Sequence, residues 1–415
     1  MRWLPLLSLL AVLAPGGAKA DPAEDVASRA CSALASRVAA VSGDDPVFLR
    51  SYDAGSGEGL NPEPALNAAF TYDNALAVIA LQACGNLGAA RRIGDALLAA
   101  SEEDRTGEAG RLRNAYRPGA VHETPVPPMG WWDDAQQRWD EDPYQVGSAT
   151  GNLAWAALAL LTLAEATADS EYTEGAVRIA TWAAKASADD RAPAGFNGGL
   201  YGYDDKAQPL GWKSTEHNVD LAAVFDWLTR LQPEAGWQAQ ARQARDFVAA
   251  LWDPEQGRFW VGTLPDGVSI NRANSGLDAE LWPLLLAEAP AEWQGALAYA
   301  EQHHAARPGF DFNDDRDGVW WEGTAQAALV YRALGRDDKA DRLLKAMARR
   351  FSPGGLLWAT DAARITTGLA LSPSSTTDDF YYFRLPHLGA TAWAALAARG
   401  WNPFTGAPVG PGPAP

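Results

Sequence analysis

Cysteine, methionine and histidine are scarce in this chain, with two, three and five residues among 415. So few thiols and imidazoles exclude a cysteine- or histidine-rich metal centre, and no metal or cofactor is expected. Positive charge is also short. Lysine and arginine total 34 against 52 aspartates and glutamates, a net charge of −18. Such a surface repels phosphate backbones and anionic lipid, which argues against nucleic-acid and membrane partners and weighs against a strongly anionic polymer. Long apolar runs are missing as well. The longest, residues 3–14, is shorter than the roughly 20 residues needed to span a bilayer.

That run follows Met1-Arg2 and leads to Ala18-Lys19-Ala20 before Asp21. A basic start, a short apolar stretch and an Ala-x-Ala site read as a cleavable signal peptide over residues 1–20. Export to the periplasm or the medium is therefore expected. Loss of Arg2 and Lys19 would take the charge from −18 to −20. In an oxidising compartment Cys31 and Cys84 can form a disulfide. Two buried thiols on helix faces are the alternative. Tryptophan is abundant, at 18 residues, enough for flat apolar platforms as well as core.

Two kinds of helical segment alternate along the chain. Residues 75–84, 152–164, 219–231, 279–289, 324–334 and 388–398 are apolar on most faces. Residues 23–41, 87–100, 172–186, 233–252, 290–306 and 337–351 carry charge on one side. Helices apolar all round are buried, whereas amphipathic ones face water. Six of each in alternation predict an all-α, two-layer (α/α)6 toroid over residues 21–403, expected as a monomer. Pro283 should bend or interrupt the fourth inner helix. Gly- and aromatic-rich stretches at 198–205, 257–263 and 354–360 suggest short β-hairpins or loops over one mouth. The Pro/Gly-rich residues 404–415 are expected to form a disordered tail.

The starts of the inner helices should converge on that mouth, each with free N–H groups and a positive dipole end. Four carboxylates fall there as catalytic candidates: Asp73, Glu216, Asp278 and Glu322. Tyr72, Asn74, Asn152, His217, Asn218, Trp320, Trp321, Tyr382 and His387 lie nearby as substrate-binding candidates, with Trp131 and Trp132 in the long 106–145 segment. Helix capping alone accounts for an acid in a first turn. Four consecutive polar groups in Thr215-Glu216-His217-Asn218 exceed what a cap needs. Aromatic faces stack on sugar rings, amides and carboxylates bind hydroxyls, and a carboxylate pair can cleave a glycosidic bond. The run Asn313–Gly318 approaches a calcium loop but lacks its twelfth-position acid, where Thr324 stands, and reads as a solvated acidic turn.

With the segments 71–81, 214–225 and 381–404 in view, the chain resembles bacterial members of the six-hairpin glycosidase superfamily. The resemblance implies an (α/α)6 barrel, a carbohydrate substrate and paired-carboxylate hydrolysis of a poly- or oligosaccharide, many such enzymes being inverting. By position, Asp73, Glu216, Asp278 and Glu322 fall where the acids of such barrels are found, which leaves the roles open. The convergence of acids and aromatics at one mouth makes Glu216 the expected general acid and Asp73 or Glu322 the base. A polysaccharide lyase is the alternative enzyme, with a tyrosine beside His217 or Asn218 as base and Arg113, Arg117 or Arg384 neutralising a uronate. A non-catalytic glycan-binding barrel is the third class.

Overall fold

The computed structural model describes residues 21–54, 67–122 and 126–410. The proposed signal peptide and residues 411–415 lie outside that range. Within it, the predicted alternation of helices is present. The outer helices are α1 (Pro22–Ala39), α3 (Leu87–Glu102), α5 (Ser170–Ser187), α7 (Gln238–Ala250), α9 (Gly295–His303) and α11 (Asp337–Met347). The inner helices are α2 (Thr71–Ala83), α4 (Thr150–Thr167), α6 (Thr215–Leu231), α8 (Leu277–Leu281), α10 (Trp321–Ala333) and α12 (Leu388–Arg399).

Each inner helix packs on the next, and α12 packs on α2, so the inner ring closes. Helix α1 lies against α11 and α12, which joins the two ends of the chain. The disulfide Cys31–Cys84 ties α1 to the end of α2. Pro283 acts as expected: α8 runs for only five residues and continues as a 3-10 turn, Trp282–Leu285. Proline there removes a backbone donor and crowds the preceding turn. Among the described residues, no helix is long and apolar enough to cross a membrane.

Outer helices end, and inner helices start, at the same mouth. Short antiparallel ribbons connect them, including Ala188–Asp189 with Gly195–Phe196, Trp252–Asp253 with Arg258–Phe259, and Ala305–Ala306 with Gly309–Phe310. Five of the six inner helices, all but α4 with Leu153 at that place, fix the connections with their fourth residue. The Asn74 amide pairs with both the N–H and the C=O of Leu49, and the Asn218 amide does the same for Phe196. Glu280, Thr324 and Thr391 accept the N–H of Phe259, Phe310 and Leu357. Buried backbone groups outside regular ladders need such partners.

Two turns of the same register define the barrel interior. The second residues of the inner helices are Tyr72, Gly151, Glu216, Asp278, Glu322 and Gly389. Four residues deeper, on the same faces, come Leu76, Trp155, Asp220, Trp282, Gln326 and Trp393. Tryptophans from alternate helices meet at the axis, with ring centroids 5.4–5.8 Å apart, and form a floor. Phe404 packs against that floor, 5.2 Å from Trp155 and 5.6 Å from Trp282. It sits in a hairpin pairing Trp401–Asn402 with Ala407–Pro408. The sequence reading ends the domain at 403 and assigns the following residues to a disordered tail. Residues 404–410 instead belong to the barrel, because an apolar ring at 404 has a core to enter.

Candidate active site

The four acids converge from four inner helices. Asp73, Asp278 and Glu322 are almost fully buried, and Glu216 keeps partial contact with solvent. They fall into two pairs.

In the first pair, the carboxyl groups of Glu216 and Asp278 lie within hydrogen-bonding reach of each other. Two carboxylates this close cannot both ionise cheaply, so they share a proton. Burial, and then the charges of Asp278 and Glu322, push Glu216 well above the ordinary carboxylate range. Asp278 rises to about 6 through burial, restrained by the Ala279 N–H and by Glu216.

The second pair is joined by a histidine. His387 Nε2 lies 3.3 Å from Asp73 Oδ2, and Nδ1 lies 3.5 Å from Glu322 Oε2. Burial opposes charge on this ring, yet the two acids hold its pKa above the usual imidazole value. Tyr52 stacks flat on it at 4.3 Å. The Tyr72 hydroxyl donates to Glu322 Oε1 at 2.6 Å and accepts from the Trp393 indole at 2.9 Å. Burial carries Glu322 to about 7; His387 and Tyr72 pull it down, and Asp73 pushes it up.

Two glycines make room for this arrangement. A Cβ on Gly389 would stand 2.5 Å from Asp73 Oδ1 and 3.2 Å from Glu322 Oε2. One on Gly151 would meet the His217 ring at 2.5 Å. His217 is half-buried beside Trp212, and burial lowers its pKa to about 4, so it is neutral. Asn152 donates to Asn114, and Tyr144 stands near Glu216 and Asp73. Beneath Glu216, Asp220 is wholly buried with neither oxygen hydrogen-bonded, and burial raises its pKa strongly.

Several sequence expectations need correction. Asn74 and Asn218 are fully buried and clamp the connecting backbone, so they do not reach a ligand. Trp320 and Trp321 are core residues, packed against Phe312 and under Arg350 respectively. Tyr72 and His387 organise acids, and Tyr382 lies over Trp320. Trp131 and Trp132 remain substrate-binding candidates, on the hairpin Trp131–Asp133 with Arg138–Asp140 in the connection leading to α4. Arg113 is buried and ion-paired with Asp104 and Asp204, which removes it as a uronate ligand. Arg384 lies over Trp358. In the acidic run, Asp311, Asp315 and Asp317 bring carboxylate oxygens within 4.8 Å of one another. Thr366 and backbone N–H groups already occupy those oxygens. Sequence reasoning missed Tyr52, Tyr144 and Trp212, which lie in connections and carry no periodic pattern.

No protein-family model and no curated protein matches the sequence. Solved structures do. A glycosidase variant determined with glucose is 14% identical, with a TM-score of 0.59 over 92% of this chain and 98% of the other. A family 76 α-mannanase of Bacteroides thetaiotaomicron is 11% identical, with a TM-score of 0.57 over 91% and 98%. The Lin0763 protein of Listeria innocua is 13% identical, with a TM-score of 0.57 over 91% and 96%. This likeness establishes the architecture: the chain shares the (α/α)6 fold of these solved structures.

Proposed function

We propose that this protein is an exported glycoside hydrolase acting on a neutral poly- or oligosaccharide. The observation that carries the reading is the division of four converging carboxyl groups into a proton-sharing pair and a histidine-linked pair. Glycosidic cleavage needs one carboxyl that holds a proton and another that is ionised. Glu216 is the more open member of its pair, and the charge of Asp278 keeps it protonated. It is the general acid that protonates the leaving oxygen. Across the mouth, Glu322, whose rise through burial is held to about 7 by His387 and Tyr72, takes a proton from the attacking water, or Asp73 does so in its place. The expected course is inversion.

The mouth favours hydrolysis over elimination. A lyase must neutralise a uronate carboxylate, whereas this mouth concentrates acids around one imidazole. The disulfide supports export, since such bonds persist in oxidising compartments. The solved relatives described as an α-mannanase and as a glycosidase with glucose make mannans and glucans the first substrates to try.

The test is digestion of a glycan panel with products identified by mass. Glu216→Gln and Glu322→Gln should each lower kcat by about 10²–10⁴ without unfolding the protein, the range of a lost acid or base. Full activity in both variants would refute the assignment. Unsaturated, ultraviolet-absorbing products would establish the lyase instead. Proton NMR of the first-formed anomer reads the stereochemical course.

A further inference from the structure

Seven large apolar side chains stand exposed among the described residues: Trp132, Trp139, Tyr203, Leu231, Leu264, Val268 and Leu371. All but Leu231 lie in segments that run from an outer helix to the next inner one. They therefore gather on the rim of the mouth that holds the acids. A soluble surface normally scatters such residues.

The densest part of this rim is the hairpin pairing Trp131–Asp133 with Arg138–Asp140. Trp132 and Trp139 are direct cross-strand partners, so they share one face, and they are 51% and 46% exposed. Trp139 is nonetheless held in place. Its indole crosses the backbone of Gly130, where a Cβ would come within 2.0 Å of Nε1, and the Arg117 guanidinium lies 5.5 Å from its ring centre. The Tyr203 hydroxyl donates to Glu141 O at 2.7 Å, which brings a third exposed aromatic beside the foot of the hairpin.

The hairpin is also tied to the acids by chain length. Five residue steps lead from Trp139 to Tyr144, at most about 18 Å of backbone. Tyr144 lies close enough to Glu216 and Asp73 for their charges to raise its hydroxyl's pKa, after burial has done most of it. An aromatic pair tethered within that reach fits the apolar faces of pyranose rings further along a chain whose scissile bond lies at the acids.

We propose that Trp132 and Trp139 form a platform for a polysaccharide chain, so that the substrate is a polymer gripped beyond the residues that flank the cleaved bond. The inference rests on the carbohydrate reading of the mouth. It extends that reading from a single bond to a long ligand.

The test is affinity electrophoresis of the full chain in native gels cast with α-mannan, β-glucan or xylan. Glu216→Gln, which binds without cutting, should be retarded by at least one of them. Adding Trp132→Ala and Trp139→Ala should weaken that retardation about tenfold, roughly 1.4 kcal/mol, with an unchanged thermal midpoint. Tyrosine at both positions should restore most of it. The proposal is overturned if no polysaccharide retards Glu216→Gln, or if the alanine pair is retarded equally. It is also overturned if wild type sediments as a dimer that the alanine pair abolishes, since a second copy would then cover the aromatics. Cleavage of the same polymers by wild type judges the hydrolase reading separately. A chain retarded by a polymer but cutting none would keep the platform and lose the enzyme.

Discussion

Asp278 governs the proton on Glu216 without needing to touch the substrate. Replacing it with asparagine removes a negative charge from beside Glu216, so the Glu216 proton becomes easier to lose. The alkaline limb of the pH profile of kcat/KM should therefore move to lower pH in Asp278→Asn, and activity at pH 8 should fall at least about tenfold. A limb that stays in place would show that no proton is shared. Tyr72→Phe acts in the opposite sense on the other pair. Its hydrogen bond lowers the Glu322 pKa, so its loss should move the acidic limb to higher pH. The acids were legible in the sequence because each is the second or, for Asp73, the third residue of a periodic helix, where position alone aims it at the mouth. The roles of Asn74 and Asn218 were not. Their partners, Leu49 and Phe196, lie 25 and 22 residues earlier, and nothing local distinguishes an amide that binds backbone from one that binds sugar.

At the level of helices and connections, the fourth-residue clamps explain how such short ribbons keep fixed places around the mouth. Asn218→Ala would leave the N–H and C=O of Phe196 buried and unpaired, at a cost of about 1–3 kcal/mol for each group left so. Urea unfolding should show that loss, whereas a ligand-binding asparagine would change KM and leave stability alone. Periodicity revealed the helices well because apolar faces repeat within one element. It overran α8, where Pro283 converts the predicted long helix into one α-helical turn and a 3-10 segment. It also could not show that three tryptophans on alternate helices meet. Trp155, Trp282 and Trp393 are far apart in the chain, and only closure of the ring brings them to one axis.

For the molecule as a whole, buried acids set the response to pH. Glu280 is raised to about 8 and Glu322 to about 7, both chiefly by burial. Between pH 6.5 and 8 the folded chain holds protons that the unfolded chain has released, so stability falls as pH rises. His217 and His304, both lowered to about 4 by burial, oppose this trend chiefly below their unfolded value near 6.5. The thermal midpoint should thus decrease from pH 6.5 to 8, and a rise over that interval would contradict the assignment of buried neutral carboxyls. Breaking Cys31–Cys84, which spans 53 residues, should cost about 4 kcal/mol on a chain-entropy basis. The hairpin carrying Phe404 bears on the order of events during synthesis. The tryptophan floor stays uncovered on that side, and the inner ring stays open, until residues 388–408 have left the ribosome. A nascent chain must therefore carry an unfinished core through nearly its whole translation, and a chain stopped at residue 400 would resemble a folding intermediate more than a shortened protein.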